Sequence, residues 1–175
     1  DGAPSSHILK FENRDYADLP LNECLASELA RRCGLPVVQT TLVDLGGIKA
    51  CLVERYDRIT VSGRMVRLHQ EDFCQALGLP SAMKYEADGG PSFRQCFTLV
   101  QEASEEPLPD EELLLRWQIM NLLLGNADGH AKNLSLLHGL DGSVRLAPFY
   151  DMVSTLAYPG LSRDAALKIG EASDL

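Results

Sequence analysis

The chain has 175 residues, the length of one ordinary domain or of the core of a larger one. Hydrophobic residues make up 45% of it and charged residues 23%, which excludes a disordered tail, a collagen-like chain and a disulfide scaffold. No stretch approaches the roughly eighteen apolar residues of a membrane-spanning helix, so we expect no membrane association. The formal net charge of −9 disfavours direct nucleic-acid binding, although it leaves room for a nucleotide pocket.

The five cysteines predict a reducing compartment. Their number is odd, and no CxxC metal or redox spacing occurs. Most of them lie within apolar patterns, as small buried hydrophobic residues do. We therefore expect free thiols and a cytoplasmic protein. Residues 1–4 show no signal-peptide features and no initiator Met, so we expect a fragment of a longer chain or a processed product.

The first third of the chain reads as strands around one helix. Residues 7–11 alternate apolar and polar side chains, which predicts a short strand that carries Lys10. Leucines at helical spacing predict a helix over residues 21–33, which Gly34 would end. Two β-branched runs joined by an Asp-Leu-Gly-Gly turn predict a hairpin over residues 37–53. A polar turn over residues 60–63 follows.

Downstream the pattern turns helical. Helices are predicted over residues 70–77, 91–103 and 110–124. The last of these, with Asp110 as its cap, is apolar nearly all round, so we expect it to be the buried spine of this part. Strands over residues 134–137 and 144–147 flank Asp141 and Gly142, a strong hairpin-turn signal.

The densest polar cluster of the sequence, residues 125–133, follows directly on that apolar helix. Phosphoryl transfer needs an Asp that accepts the proton of the attacking hydroxyl. It also needs an Asn five residues later and a second Asp, which together hold Mg²⁺ against the phosphates. Asp128 and Asn133 have that spacing, and Asp151 follows the predicted hairpin. This set predicts a phosphotransferase site.

Two residues near the start of the chain extend the pattern. Lys10 on its strand and Glu23 on the next helix could form the ion pair that fixes a lysine on the phosphates of ATP. The order Lys, Glu, Asp, Asn, Asp along the chain is that of a protein kinase.

Six strings of this sequence strongly resemble the HipA-type kinases, the serine/threonine kinase toxins of bacterial type II toxin–antitoxin pairs. They cover residues 7–10, 53–57, 70–76, 84–91, 128–133 and 148–151. The resemblance extends over essentially the whole chain. It implies an α+β, kinase-like bilobal fold, with a small β-lobe over residues 1–57, a hinge near Tyr56 and a larger, mostly helical lobe over residues 58–175.

The resemblance also implies a role for each matching residue. Asp128 corresponds to the catalytic aspartate, and His130 and Lys132 belong to the same catalytic loop. Asn133 and Asp151 correspond to the Mg²⁺ ligands. The implied ATP-contacting residues are Lys10 at the phosphates, Glu54, Arg55 and Tyr56 at the adenine through their backbone, and His130, Asn133, Tyr150 and Asp151.

The function implied by the resemblance is ATP- and Mg²⁺-dependent phosphorylation of a protein serine or threonine, as the toxin of a bacterial toxin–antitoxin pair. The implied partners are a cognate HipB-like antitoxin and a protein substrate, which in the best-known members is an aminoacyl-tRNA synthetase. DNA would be contacted only indirectly, through the antitoxin. The family's glycine-rich loop lies upstream of the Lys10 strand and is not in this sequence, so the fragment is expected to be inactive alone.

Three other interpretations stay open at this point. The Asp-Asn-Asp pattern also fits a small-molecule or lipid phosphotransferase of kinase-like fold, and the missing loop fits a non-catalytic nucleotide-binding or inhibitory module. A zinc hydrolase is disfavoured, although Asp128 and His130 invite it. Zinc sites use two or three His or Cys ligands at short spacing, and the other histidines, His7, His69 and His138, lie in unrelated segments.

Overall fold

The computed structural model describes residues 4–170 and the backbone of residues 172–174. Strands and helices are mixed, so the predicted α+β class is confirmed. The strands are β1 (His7–Phe11), β2 (Thr40–Asp44), β3 (Lys49–Glu54), β4 (Arg58–Val61), β5 (Arg64–Arg67), β6 (His69–Asp72), β7 (Ser135–His138), β8 (Val144–Leu146), β9 (Asp164–Ile169) and β10 (Ala172–Asp174). The helices are α1 (Leu19–Arg32), α2 (Phe73–Ala76), α3 (Phe93–Ala103) and α4 (Pro107–Leu124). Within the described ranges, every helix is too short or too polar to cross a bilayer.

The N-terminal part is a three-stranded antiparallel sheet in the order β1-β3-β2, with α1 packed against β2 and β3. The strand predicted over residues 7–11 and the predicted hairpin are both confirmed. The first hairpin strand begins at Thr40 and not at residue 37, because Val37 forms a parallel bridge with Phe149 instead. That bridge joins the sheet to the C-terminal part of the chain.

Helix α1 ends as the sequence predicts, with Gly34 just beyond it at φ 81°. Its buried face carries small side chains such as Ala26 and Ala30, which let the helix approach the sheet closely. Leu25 and Leu29 are 62% and 50% exposed. The leucine spacing therefore identifies the helix but not the face that it buries.

The helix predicted over residues 70–77 is wrong in its first half. Residues His69–Asp72 form β6, which pairs antiparallel with β7, and α2 covers only Phe73–Ala76. Asp72 ends the strand and caps the helix, because its side chain accepts from the N–H of Gln75 while the Gln75 side chain accepts from the N–H of Asp72. Pairing with a distant strand overrides the local helical preference of this segment.

The C-terminal part contains a second three-stranded sheet, in the order β6-β7-β8. Strands β7 and β8 confirm the hairpin predicted around residues 141 and 142. The sequence does not predict the β4–β5 hairpin: the polar turn predicted over residues 60–63 is confirmed only at Ser62 and Gly63, because Thr60 and Val61 belong to β4. Strands β9 and β10, which pair with each other, were not predicted either.

Helix α4 starts at Pro107, so the prediction that Asp110 caps it is wrong. Asp110 lies inside the first turn and is only 1% exposed. Its carboxylate accepts hydrogen bonds from the guanidinium of Arg145, the N–H of Leu146 and the hydroxyl of Ser104. This polar cluster fastens the start of α4 to strand β8.

Helix α4 is also less buried than the sequence predicts. One face enters the core, where Trp117 stacks on Phe149 with ring centroids 5.9 Å apart and Leu114 is fully buried. The opposite face leaves Ile119 and Leu123 44% and 77% exposed. The expectation that this helix is buried nearly all round is therefore wrong for the face that points away from the sheet.

Candidate active site

A cavity of about 760 Å³ lies where the N-terminal sheet meets the C-terminal part. Lys10 and Glu23 line it from β1 and α1, while Asp128 and Asp151 line it from loops of the C-terminal part. Ligand pockets in proteins commonly have volumes of about 300–1,000 Å³. The cavity is therefore large enough for a nucleotide, and it gathers charged groups from six separate segments, since Lys84, Asp88 and Asp164 line it as well.

Lys10 is one of two lysines that line the cavity, with Lys84, and it is shared by two carboxylates. Its Nζ lies 2.7 Å from Glu23 Oε1 and also donates a hydrogen bond to Asp151 Oδ1. The predicted ion pair with Glu23 is thus present. Burial alone would lower the pKa of Lys10, but the Asp151 and Glu23 carboxylates raise it overall, so the ammonium stays charged. Burial raises the pKa of Glu23, with Lys10 opposing that change.

Asp151 follows Tyr150 at a strained point of the backbone. Its φ of 56° is left-handed, an uncommon conformation for a residue with a side chain. The chain just before it is fixed, because the N–H of Val38 donates to the carbonyl of Phe149 and the N–H of Phe149 donates to that of Pro36. The strained residue therefore turns its carboxylate back toward Lys10. Such strain is typical of functional sites.

Asn133 ties the loop after α4 to Asp151. Its Nδ2 donates to Asp151 Oδ2 at 3.3 Å, and its Oδ1 accepts from the N–H of His130 at 3.0 Å. An amide oxygen has two lone pairs, so Asn133 Oδ1 keeps one acceptor position after this bond. The predicted metal ligands Asn133 and Asp151 are thus in direct contact.

Asp128 is positioned by the turn that ends α4. Gly125 adopts φ 64°, and a Cβ there would overlap the Leu156 side chain, so this position requires glycine. The N–H of Asp128 then donates to Asn126 Oδ1 at 3.0 Å. The Asp128 carboxylate is half exposed toward the cavity, as an acceptor for a substrate proton must be.

His130 lies behind Asp128 and is only 6% exposed. Its Nε2 is 3.7 Å from Asp128 Oδ1, and its Nδ1 is buried with no hydrogen-bond partner among the described residues. Burial lowers the pKa of His130, with Asp128 opposing that change. Burial thus favours the neutral form of the ring.

The HipA-like C-terminal domain family matches residues 1–174 of the chain. The chain belongs to this family. A relative in Sinorhizobium fredii named "Putative kinase Y4mE" is 43% identical over 171 residues, which cover 97% of this chain and 40% of that protein. The serine/threonine-protein kinase toxin HipA of Shewanella oneidensis is 36% identical over an alignment 183 residues long, which covers 97% of this chain and 41% of the toxin.

Solved structures agree with this assignment. A chain in the complex of Shewanella oneidensis HipA, HipB and operator DNA matches with a TM-score of 0.89 and 35% identity, over 97% of this chain and 42% of that one. The Helicobacter pylori proinflammatory kinase CtkA matches with a TM-score of 0.68 at 16% identity, over 93% of this chain and 63% of that one, which shows the fold alone. The chain spans about 40% of the length of the curated relatives it matches.

The residues predicted to contact adenine, Glu54, Arg55 and Tyr56, are not among those that line the cavity described above. Tyr56 stacks on Tyr150 with ring centroids 5.8 Å apart, and the Tyr150 hydroxyl donates to the carbonyl of Lys132 at 2.9 Å. The N–H groups of Glu54 and Arg55 already donate to the carbonyls of Gln39 and Ser6. Adenine could bind to these two backbone N–H groups only if those hydrogen bonds broke. The contact of Tyr56 with adenine stays a prediction.

Tyr85 also lines the cavity, although no role for it is predicted from the sequence. Its hydroxyl donates to Asp128 Oδ1 at 2.5 Å, and Lys84 Nζ lies 3.8 Å from the same oxygen. Burial raises the pKa of Tyr85, and its bond to Asp128 raises it further. The sequence signals at this loop are its place in one of the six resembling segments, residues 84–91, and the Gly-Gly pair that ends it. A Cβ at Gly90 would lie 2.6 Å from the Tyr85 carbonyl oxygen, so glycine is needed for this tight turn.

Proposed function

We propose that this HipA-like domain is the catalytic part of an ATP- and Mg²⁺-dependent serine/threonine protein kinase. The observation that carries the proposal is the meeting of Lys10, Asp128 and Asp151 around one cavity, with Asn133 bonded to Asp151. Kinase catalysis consists almost entirely of positioning and electrostatic stabilisation, and these are the groups it uses. In this proposal the N-terminal sheet with α1 is the small lobe, and the remainder, which carries strands β4–β10 besides helices α2–α4, is the large lobe.

The chain's own residues divide the work of phosphoryl transfer between them. The Lys10 ammonium, held in place by Glu23, orients the phosphates of ATP. The Asp128 carboxylate accepts the proton of the attacking serine or threonine hydroxyl, and the buried His130 ring packs behind it. Such general-base assistance contributes about 10²–10⁴-fold to a rate.

The donor set beside Lys10 fits Mg²⁺. Asp151 offers carboxylate oxygens and Asn133 an amide oxygen, which are the hard ligands that Mg²⁺ prefers. Asp151 has 43% of its side chain exposed, so it can take further water or phosphate ligands next to it. When bound there, Mg²⁺ would neutralise charge on the phosphate oxygens.

In the wider proposal the protein is the toxin of a bacterial toxin–antitoxin pair and works in the cytoplasm. The structural relative from Shewanella oneidensis is a complex with HipB and operator DNA, so a HipB-like antitoxin is the proposed partner. A net charge of −9 favours DNA contact through such a partner over direct contact. The proposed substrate is a protein, with an aminoacyl-tRNA synthetase as the candidate.

The experiment is the substitution Asp128→Asn in the whole protein that carries this domain. The rate of phosphorylation is expected to fall about 10²–10⁴-fold, because the base is removed while the shape is kept. ATP affinity is expected to stay within a few-fold of the parent. Asp88→Asn, at another carboxylate that lines the cavity, is the matched control and should keep near-parent turnover.

A parent-like rate in Asp128→Asn would remove Asp128 as the catalytic residue. Acceptors tested in parallel should include a protein, sugars and inositides, with transfer of the phosphoryl group followed by mass spectrometry. Transfer only to a small molecule would favour the phosphotransferase alternative. ATP binding without any transfer would favour a non-catalytic module.

A further inference from the structure

A cluster of two histidines and a glutamate lies at one end of the β6-β7-β8 sheet, within the described part of the chain. His69 is the first residue of β6 and His138 the last residue of β7, and the strand register places them directly opposite each other. Glu71 is two residues beyond His69, so both side chains project from the same face of β6. The expectation that His69 and His138 lie in unrelated segments is therefore wrong. The two residues are far apart in sequence but adjacent in the fold, because β6 pairs with β7.

The potential ligand atoms of these three side chains converge. Glu71 Oε1 lies 3.0 Å from His138 Nε2, the ring centroids of His69 and His138 are 4.8 Å apart, and all three ligand atoms lie within 4.8 Å of one another. Atoms that bind one zinc ion at about 2.0–2.2 Å are at most about 4 Å apart. A small rotation of the imidazole rings thus brings all three atoms to a common centre.

The surroundings of the cluster suit a bound ion. On the same face of the sheet the next side chains inward are Leu136, which is 3% exposed, and Leu146. The three ligands themselves are partly exposed, so solvent reaches the cluster from the other side. An apolar floor with an open outer face leaves a fourth coordination position for water, the arrangement found where three protein ligands hold zinc.

We propose that His69, Glu71 and His138 form a binding site for a zinc-class transition-metal ion. Two imidazoles and one carboxylate are the ligand set of such ions, whereas Mg²⁺ selects oxygen ligands. The site is thus chemically distinct from the oxygen ligands Asn133 and Asp151, and it does not depend on the proposed kinase activity.

The ion would fasten two strands that are remote in sequence. Glu71 and His138 are separated by 67 residues, so only the folded chain presents the complete site. Binding to the folded state alone raises stability by mass action. Gln70, between two of the ligands, accepts a hydrogen bond from the Tyr56 hydroxyl. An ion here would therefore also steady the strand that Tyr56 contacts.

The test is titration of the metal-free protein with Co²⁺, read by visible absorption, and with Zn²⁺, read by calorimetry and thermal unfolding. We expect one Zn²⁺ per chain at this site, a Co²⁺ spectrum of low coordination number, and an unfolding temperature that rises with Zn²⁺. His69→Gln and His138→Gln should each weaken binding at least about tenfold. His7→Gln, at an exposed histidine of the N-terminal sheet, is the control and should bind as the parent does.

Two results would overturn the site. One is a parent protein that shows no Zn²⁺-dependent rise in unfolding temperature at millimolar Zn²⁺, which would leave the cluster as a hydrogen-bonded cross-strand group only. The other is a His69→Gln, His138→Gln double variant that binds Zn²⁺ with the parent's affinity and stoichiometry. Circular dichroism of each variant checks that it is folded, and the same titration with Mg²⁺ should give no signal from this cluster.

Discussion

At the scale of single residues, the catalytic carboxylate proposed here is held by a side chain from a distant loop. Asp128 and Tyr85 are 43 positions apart, and the Tyr85 ring also contacts the His130 ring edge-on at 5.2 Å. The hydroxyl of Tyr85 occupies Oδ1 of Asp128, which leaves Oδ2 for the hydroxyl of a substrate. Tyr85 is in this view a positioning residue that orients the base without touching the reacting atoms.

Tyr85→Phe should therefore lower kcat and leave ATP affinity unchanged. The ring and its contact with His130 are kept, so only the hydrogen bond to Asp128 is lost. If the less well oriented base raises the activation free energy by about 1.4 kcal/mol, the rate falls about tenfold. Steady-state kinetics with kcat and KM determined separately would measure it. Tyr158→Phe removes another hydroxyl at the cavity, one that is bonded to Asn22 and not to Asp128, and should leave kcat near the parent value.

An unchanged kcat in Tyr85→Phe would contradict the positioning role. A fall in kcat that is matched by a loss of folding stability would instead indicate a structural role for the loop. Thermal unfolding of the same variant separates these two outcomes.

At the scale of elements, the sequence predicts those parts whose signals are local. Strand β1, the β2–β3 and β7–β8 hairpins and the end of α1 all have periodicity or turn residues within a few positions. Strand β6 could not be predicted, because its polar sequence becomes a strand only by pairing with β7, more than sixty residues away. The buried face of α4 is likewise determined by the elements that pack on it. Because the helix is apolar nearly all round, its sequence does not predict which face is buried.

The candidate site follows the same division. The sequence could predict Lys10, Asp128, Asn133 and Asp151, because these residue types occur along the chain in the order found in protein kinases. The structure brings the four residues together. Tyr85 lies in one of the resembling segments, but its contact with Asp128 could not be predicted, because a loop without periodicity does not show which residue a side chain will touch.

Asp110 offers a stability test of one element junction. It is 1% exposed and receives four hydrogen bonds, so an amide in its place removes the charge that pairs with Arg145 and turns an NH₂ donor toward groups that are themselves donors. Asp110→Asn is expected to lower the free energy of unfolding by about 3 kcal/mol, the lower end of the range for a broken buried pair, because Arg145 is itself partly exposed. Chemical denaturation measures the change. Glu112→Gln, at an exposed i,i+4 partner of Arg116, should change it by less than about 0.5 kcal/mol.

The same carboxylate predicts a pH dependence. Burial alone would raise the pKa of Asp110, but hydrogen bonds from Arg145, Leu146 and Ser104 lower it overall. A carboxyl whose folded pKa lies below its unfolded value of about 3.9 stabilises the fold fully above that value, and loses this contribution as pH falls through the folded pKa. The stability difference between the parent and Asp110→Asn should therefore be constant above about pH 5 and shrink below about pH 4. A difference that grows on acidification would contradict this account.

At the scale of the whole molecule, the cavity lies on the junction between the two parts of the chain. Val37 bridges Phe149, and Asn22 and Ser154 bind each other twice, with Asn22 Nδ2 donating to the Ser154 carbonyl and the N–H of Ser154 donating to Asn22 Oδ1. These contacts flank Asp151 on both sides and hold it opposite α1. The ionic cluster at the junction is thus built by packing of both parts and not by either one alone.

That cluster has one more carboxylate than it has cations, since Lys10 is shared between Glu23 and Asp151. A divalent ion would neutralise the excess and reduce the repulsion between this carboxylate and the phosphates of ATP, so nucleotide affinity should depend on Mg²⁺. We expect the whole protein to bind ATP about tenfold or more tightly with Mg²⁺ than without it, measured by calorimetry. Asp151→Asn should abolish that difference, because the amide keeps the shape but not the charge that attracts the ion. Glu23→Gln, which also removes one carboxylate beside Lys10, is the matched control and should keep the Mg²⁺ response. Equal ATP affinities in Asp151→Asn and the parent at saturating Mg²⁺ would show that the ion is held elsewhere, since loss of a true ligand must weaken the metal-dependent part of binding.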